Sequence, residues 1–345
     1  MVIKKRGEDE MMKKLLLLHT GGTFGMVPLS PEQTLVPAQI QEHITRYVPE
    51  IQKIADIDFQ VIFNMDSADM QPEHWIKLAT TIHDSMDQYD GFVIIHGTDS
   101  MAFTASALSF MLQNLKKPVI LTGSQRPLAE IRTDARTNLI NSVELATHPI
   151  PEVSIFFGTK LLRGNRSVKI SSTGFQAFES PNFPPLAEVG LDISFNNNHL
   201  QPQGEFRFYP ELSDEVIEVR YFPGMRADVL RLLHTDSVKA VVINALGMGN
   251  VAIEKSGFLR EIKQLVDLGK IVVITSQCLY GRVDLTRYQN GKRLAEVGAI
   301  SAGDMTTEAT IVKLMHLLGV YGDNPEKIEE KVSTPLAGEL SIAEF

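Results

Sequence analysis

Residues 15–25 read LLLLHTGGTFG, an apolar run that breaks into two threonines around paired glycines. Four consecutive leucines fit a buried strand. The glycines let the backbone turn sharply and bring its N–H groups close to a small ligand. Thr20 and Thr23 then stand at the carboxyl end of the strand, where open α/β sheets bind ligands in the crevice beyond the strand tips. A hydroxyl among exposed N–H groups is there a candidate nucleophile beside an oxyanion site. The plain alternative is an ordinary glycine turn, since Gly and Thr are common loop residues.

The first half of the chain repeats one unit: an apolar run, a loop rich in Gly, Thr, Ser and Asp, then a helical pattern, which is the signature of an α/β fold. Residues 92–95 predict a strand, followed by HGTDS and a helix with Phe103, Ala107, Phe110, Met111 and Leu115 on one face. Residues 119–121 start the next unit, which continues into TGSQRPL and a helix carrying Ile131, Ala135, Leu139, Val143 and Ala146 at helical spacing. Residues 180–210 hold five prolines and three consecutive asparagines at 196–198, and read as an interdomain connection. Beyond it the rhythm resumes with strands at 240–245 and 271–275, ending in the loops NALGMGN and SQCLYGR. The last clear helix spans 307–318, with Asp304 or Thr306 placed to cap it.

A chain of 345 residues is long enough for about two domains. The expected division is a flexible tail at 1–12, an amino-terminal domain at 13–198, a linker at 199–219 and a carboxyl-terminal domain at 220–345. A net charge of −9 without a cluster of Lys and Arg argues against a nucleic-acid partner. The single cysteine, Cys278, rules out an intrachain disulfide and fits a reducing compartment, so the cytoplasm is the expected location. Lysines precede the leucine run, but the run is too short for a secretory core, and no stretch approaches a membrane span.

Two loops carry a Gly-Thr pair after an apolar strand, Gly22-Thr23 and Gly97-Thr98, the second followed by Asp99 and Ser100. A threonine hydroxyl is a weak nucleophile at neutral pH and needs a nearby base, or a cation that favours loss of its proton. Asp99 and a lysine could supply this, although an Asp or Ser before a helix also serves to cap it. TGGTFG lacks the trailing Gly-Lys-Ser/Thr of a phosphate loop and the spacing of a dinucleotide fingerprint. No histidine pair shows metal-ligand spacing with a third ligand. His19 and His96, each just before a Gly-Thr loop, read as structural, and Cys278 reads as a packed thiol.

TGGT at 20–23, MDSADM at 65–70, HGTDSM at 96–101, TGSQRP at 122–127 and AGDMT at 302–306 together resemble the bacterial-type L-asparaginases, particularly the cytoplasmic type I group. The resemblance covers nearly everything after residue 13. It implies a larger amino-terminal α/β domain with a mainly parallel sheet and a smaller Rossmann-like carboxyl-terminal domain. It also implies active sites completed at an intimate dimer interface, in a homodimer or dimer of dimers, and no metal or organic cofactor. Carried over by motif, Thr23 is the threonine that forms an acyl-enzyme ester with the side-chain carbonyl of L-asparagine. Thr98, Asp99 and Lys169, the last placed by GNRSVKISS, form the second catalytic group. Asp66, Ser67 and Ala68 match the loop that holds the substrate's α-carboxylate, while Asp99 is suited to grip its α-ammonium.

Two positions depart from the family pattern. Residues 24–37 contain no tyrosine where the family usually carries one, Leu35 standing near the position, and Ala68 replaces a residue that is commonly polar. Two other functions share the resemblance or the fold. One is the asparaginase-like subunit of a transfer-RNA-dependent amidotransferase, which the acidic charge counts against. The other is a non-catalytic amino-acid sensor, favoured by the missing tyrosine. Because cytoplasmic members can be cooperative, Asn244, Ala245, Leu246, Thr275 and Cys278 are candidates for a second amino-acid site.

Overall fold

A computed structural model describes residues 12–27, 30–34, 37–253, 257–322 and 324–342. Leu35 and all of the expected tail except Met12 lie outside the described residues. The chain divides into two compact units between Phe208 and Tyr209.

The first unit is built on an eight-stranded sheet. Its strands are β1 (Lys14–Gly21), β2 (Asp56–Met65), β3 (Gly91–Ile95), β4 (Val119–Thr122), β5 (Val153–Phe157) and β6 (Lys160–Arg163). A short pair, β7 (Val168–Lys169) with β8 (Phe178–Glu179), follows, and β9 (Ala187–Val189) and β10 (Ile193–Phe195) return to the sheet. The strand order is β10-β9-β6-β5-β4-β3-β1-β2. β1 to β5 are mutually parallel, and β6, β9 and β10 add antiparallel strands at one edge.

The parallel part therefore runs 2-1-3-4-5, and the order reverses between β1 and β3. In such sheets the crevice beyond the carboxyl ends of the two strands flanking that reversal is the natural ligand site. β1 is buried from Leu15 onward because it lies between β2 and β3 with helices over the sheet, which is why its sequence is an unbroken apolar run. β2, at the edge, alternates in exposure over its first half.

Four helices belong to this unit: α1 (Pro37–Tyr47), α2 (Pro72–Ser85), α3 (Met101–Met111) and α4 (Ala135–Leu145). Leu15, Leu17, Val93, Ile95, Ile120 and Phe156 pack with Leu139 and Val143 of α4 in one core. α3 is apolar nearly all round, and every residue from Met101 to Met111 except Phe103 is buried. Two helical expectations change at their ends. Leu115 lies beyond the end of α3, and Ile131 is fully exposed at 103% because α4 begins only at Ala135.

The stretch 180–210 is more than a connection. Part of it forms β9 and β10, and Arg207–Phe208 pairs with Leu112–Gln113. The sequence hides this because each strand is only three residues long, too short for an alternating period to stand out among the neighbouring prolines and asparagines.

The second unit has a four-stranded parallel sheet in the order β11 (Val216–Arg220), β12 (Ala240–Ala245), β13 (Ile271–Ser276), β14 (Ile300–Ser301). Its helices are α5 (Phe258–Asp267), α6 (Gln289–Glu296), α7 (Thr307–Tyr321) and α8 (Pro325–Val332). β11 begins inside the span assigned to the linker. One face of this sheet packs Val241, Ile243, Val272 and Ile274 with α5, and the other packs Ala240, Val242, Ile271 and Val273 with α7. Thr306 caps α7, its hydroxyl accepting from Ala309 N at 3.1 Å, whereas the Asp304 carboxylate accepts from Ser341 N. A larger, mainly parallel α/β unit and a smaller parallel one thus make up the chain. No described helix is long and apolar enough to cross a membrane.

Candidate active site

Three loops leave the carboxyl ends of β1, β2 and β3 and meet backbone to backbone. Gly22 N donates to Met65 O at 3.0 Å. A Cβ on Gly21 would stand 2.1 Å from Met65 O, one on Gly22 2.5 Å from Gly97 Cα, and one on Gly97 2.6 Å from Ser67 Oγ. Gly21 and Gly22 also take positive φ of 117° and 83°. Glycine is therefore required here twice over, for the turn and for the close approach. The Gly22–Gly97 contact brings the loops of Thr23 and Thr98 together, each threonine standing one residue beyond the touching glycines.

The threonines of the first loop have different surroundings. Thr20 is buried, and its hydroxyl donates to Ile95 O at 3.0 Å, which ties β1 to β3. Thr23 is half-buried at the start of a single 3-10 turn, Thr23–Gly25, held from behind by the buried Phe24. Phe24 O accepts from Leu128 N at 3.2 Å.

In the second loop Lys169 Nζ donates to Thr98 Oγ1 at 2.8 Å and pairs with Asp99 Oδ1 at 2.5 Å. Lys169 arrives from β7, held in register opposite Phe178 of β8, and its side chain is 18% exposed against 67% for Asp99. An ammonium has three donors and no acceptor, so Thr98 Oγ1 accepts from Lys169 and its own proton is left to donate elsewhere. A cation at this distance also favours loss of that proton.

Asp99 and Ser100 do not cap α3 with their side chains. Ser100 makes no side-chain capping bond and instead donates to Ser67 O at 2.6 Å. Asp99 N donates to Ser67 Oγ at 3.2 Å, so the buried Ser67 locks the loop after β2 to the loop after β3. The exposed Asp66 turns the chain over Ser67–Asp69, its carboxylate accepting from Ala68 N at 2.9 Å. The structure thus joins Asp66, Ser67 and Ala68 to Asp99, and Asp99 and Thr98 to Lys169.

His19 and His96 are both buried beside these loops, and burial lowers each to a pKa of about 4, so both rings are neutral. His96 Nδ1 lies 2.6 Å from Gly97 O, and its Nε2 lies 2.9 Å from Thr104 Oγ1 on α3. Trp75 Nε1 on α2 donates to the same Thr104 oxygen at 2.9 Å. Trp75 and Thr104 escape sequence reading because each sits inside a helical pattern. The usable signal is Thr104, a hydroxyl within an apolar helix.

The loop after β4 adds a further turn. Asp134 accepts from Gln125 N at 3.0 Å and Arg126 N at 3.2 Å, and Gln125 Nε2 donates to Gly174 O at 3.0 Å. Burial pushes the Asp134 carboxyl above its usual range against these bonds. Among the described residues, no group of three or more His, Cys, Asp or Glu could hold a metal ion.

The second candidate site lies in the smaller unit. Asn244 and Thr275 are partners in the β12–β13 register, and Asn244 Nδ2 donates to Glu218 Oε1 at 2.9 Å. Among the described residues, Asn244 Oδ1 and Thr275 Oγ1, both buried, have no hydrogen-bond partner. Ala245 is buried beside them, and Leu246 opens a tight turn that closes on Asn250. Cys278 is exposed rather than packed, because β13 ends at Ser276 and the thiol falls on the loop beyond it.

Residues 14–201 match the family model described as Asparaginase, N-terminal, and residues 215–331 match the Glutaminase/Asparaginase C-terminal domain. The chain is 44% identical over 338 residues to L-asparaginase 1 of Escherichia coli strain K12, covering 95% of this chain and 98% of that one. It is 37% identical over 337 residues to L-asparaginase of Thermococcus kodakarensis, covering 95% and 99%. The crystal structure of L-asparaginase I from Vibrio cholerae superposes with a TM-score of 0.88 at 38% identity, over 96% of this chain and 100% of that one. Two domain models in sequence, and relatives aligned nearly end to end, mean that the chain belongs to the asparaginase family.

Proposed function

We propose that this protein hydrolyses the side-chain amide of L-asparagine to L-aspartate and ammonia through a threonine acyl-enzyme. The observation that carries the reading is the Lys169 ammonium 2.8 Å from Thr98 Oγ1 and 2.5 Å from Asp99, in a loop locked against the one that carries Thr23.

In this reading Thr23 Oγ1 bonds to the amide carbon as its proton passes to the amide nitrogen. The carbonyl π electrons move onto oxygen, where loop N–H groups meet the charge, each donor worth about 3 to 4 kcal/mol. The oxyanion then collapses, the C–N bond breaks, and nitrogen leaves with a proton as ammonia, giving an ester on Thr23. Water attacks that ester, its proton passing to Thr98 Oγ1 as the proton already on Thr98, beside the Lys169 ammonium, moves on toward the Thr23 oxygen. The C–O bond breaks, and Thr23 recovers a proton as aspartate departs. Asp99 takes the substrate's α-ammonium, and the turn at Asp66, Ser67 and Ala68 takes its α-carboxylate, so an amide without an amino-acid head lacks both grips.

Ammonia release from L-asparagine and L-glutamine, for the wild type and Thr23→Ala, tests this. Asparagine turnover that vanishes in Thr23→Ala supports it. Binding without turnover in the wild type moves the weight to an amino-acid sensor. Cytoplasmic residence and a homodimer or dimer of dimers belong to the same reading through the family resemblance, and light scattering reads the assembly.

A second reading concerns regulation and is favoured by the two buried, unpartnered oxygens of Asn244 and Thr275. Groups left unsatisfied in this way are costly unless something completes them. With Ala245, Leu246 and Cys278 they form the candidate effector site for a second amino acid. A hyperbolic rate curve that is unchanged in Cys278→Ala argues against it.

A further inference from the structure

We propose that a buried hydrogen-bond relay, Trp75 to Thr104 to His96, acts as a positioning device that fixes the peptide between Gly97 and Thr98 and so aims the Thr98 N–H into the crevice. The inference rests on the asparaginase reading above for what the crevice holds, but its geometry stands alone.

Donor and acceptor accounting leaves one arrangement. The indole N–H of Trp75 can only donate, and it takes a lone pair of Thr104 Oγ1 at 2.9 Å. The Gly97 carbonyl can only accept, so His96 Nδ1, 2.6 Å away, carries the ring proton. Burial keeps the ring neutral, at a pKa of about 4, so Nε2 is bare and accepts. The single Thr104 proton then goes to Nε2 at 2.9 Å. Every donor in the chain finds an acceptor, and the tautomer of His96 is set from two helices away.

The consequence falls on the active-site loop. The Gly97–Thr98 peptide is trans, so its C=O and N–H point in opposite directions. With the carbonyl drawn toward the buried His96 ring, the Thr98 N–H faces away from it, and no described residue accepts a hydrogen bond from that N–H. Gly97 cannot give way sideways, because Gly22 Cα and Ser67 Oγ close the space around it. The peptide is thereby aimed before substrate arrives, which is what makes an N–H effective against a developing oxyanion.

His96, Thr104 and Trp75 touch no reacting atom in this scheme. A purely structural role would lower thermal stability alone, whereas a positioning role lowers kcat while KM holds. The experiment compares wild type, Thr104→Val, Thr104→Ser and Trp75→Phe in steady-state asparagine hydrolysis, together with nitrogen-15 spectra of histidine-labelled protein.

For Thr104→Val the expected result is a kcat lower by about 10-fold or more with KM within about 2-fold, a part of the loss seen when an oxyanion donor is removed outright. Thr104→Ser keeps the hydroxyl and returns kcat to within about 3-fold of wild type, while Trp75→Phe costs a smaller factor. His96 in the wild type shows a protonated Nδ1 and a bare Nε2. A wild-type His96 protonated on Nε2, or an unchanged kcat in both Thr104→Val and Trp75→Phe, overturns the proposal. If Thr104→Val fails to fold, the kcat of Trp75→Phe and the wild-type spectrum decide. If the wild type releases no ammonia from asparagine, the substrate reading falls, and the tautomer in the spectrum still decides the relay.

Discussion

Each unit places polar residues where parallel strands end, yet the two strand-end clusters are made differently. Beyond β1, β2 and β3 the loops are jammed together by Gly21, Gly22 and Gly97, and their polar groups have found one another: the Lys169 ammonium with Thr98 and the Asp99 carboxylate, the Ser67 hydroxyl with the Asp99 N–H, and the Ser67 carbonyl with the Ser100 hydroxyl. Near the carboxyl ends of β12 and β13, Asn244 Oδ1 and Thr275 Oγ1 are buried without a hydrogen-bond partner among the described residues. The first cluster is preorganised, with its strain and its hydrogen bonds settled in the fold. The second holds unmet hydrogen-bonding capacity. A parallel sheet supplies the location in both cases, and the backbone approach of the loops decides which location can hold reacting groups rigidly.

Substitution at the charged centre should separate the two clusters by the widest margin. Lys169→Met is expected to lower kcat for asparagine by about 10³-fold or more, since Thr98 loses the cation that favours release of its proton. Thr275→Val in the smaller unit should change the rate at saturating substrate by less than about 3-fold. Equal losses in the two variants would erase the distinction between a chemical and a non-chemical cluster.

Glycine substitutions come next. Gly97→Ala drives a methyl into Ser67 and Gly22, and a displacement of that size at reacting groups costs about 10²-fold in rate. Gly249→Ala, whose Cβ would meet Val283 Cγ1 at 2.8 Å at a φ of 102°, should lower the melting temperature and leave kcat nearly unchanged. An unaltered kcat in Gly97→Ala would show that the loops do not need their contact.

Acid weakens both units through buried imidazoles. His19 and His96 in the first unit and His316 in the second are all lowered by burial to about 4. Between pH 6.5 and about 4 the unfolded chain therefore binds more protons than the native one. Stability is full above pH 6.5 and falls as the pH drops through that window, by a few kcal/mol at most for each ring. Urea midpoints at pH 7.5, 6.5, 5.5 and 5.0 should decline in that order, and a flat series would mean the rings are accessible to protons in the native state.

The smallest expected change is in stability at the second cluster. Replacing a buried, unsatisfied oxygen by a methyl is close to neutral or mildly stabilising, so Thr275→Val should shift the unfolding free energy by no more than about 1 kcal/mol. A loss several times larger would show that a partner already satisfies that hydroxyl in solution.

Several features were legible in the residues themselves. The strands at 92–95, 119–121, 240–245 and 271–275 lie within the observed ones to a residue or so, because each is an unbroken apolar run flanked by loop residues. β9 and β10 were hidden, since three residues with proline and asparagine nearby carry no period. Capping by Asp99 and Ser100 was a reasonable local expectation, and the fold overrode it by offering Lys169 and Ser67 as better partners.

The α/β alternation, the two-unit plan and the identity of the loops that bear chemistry can be read along the chain, because apolar periodicity and glycine requirements are local properties of it. The three-dimensional fold, by contrast, is what brings Lys169 to Thr98 across 71 positions and to Asp99 across 70. It alone decided that Thr20 is spent on a strand-to-strand bond, and that Trp75 and Thr104 set the tautomer of His96. Those pairings depend on which strand lies beside which and on how closely two backbones approach. Such distances are fixed by packing of the whole sheet and have no signature in any short stretch of residues.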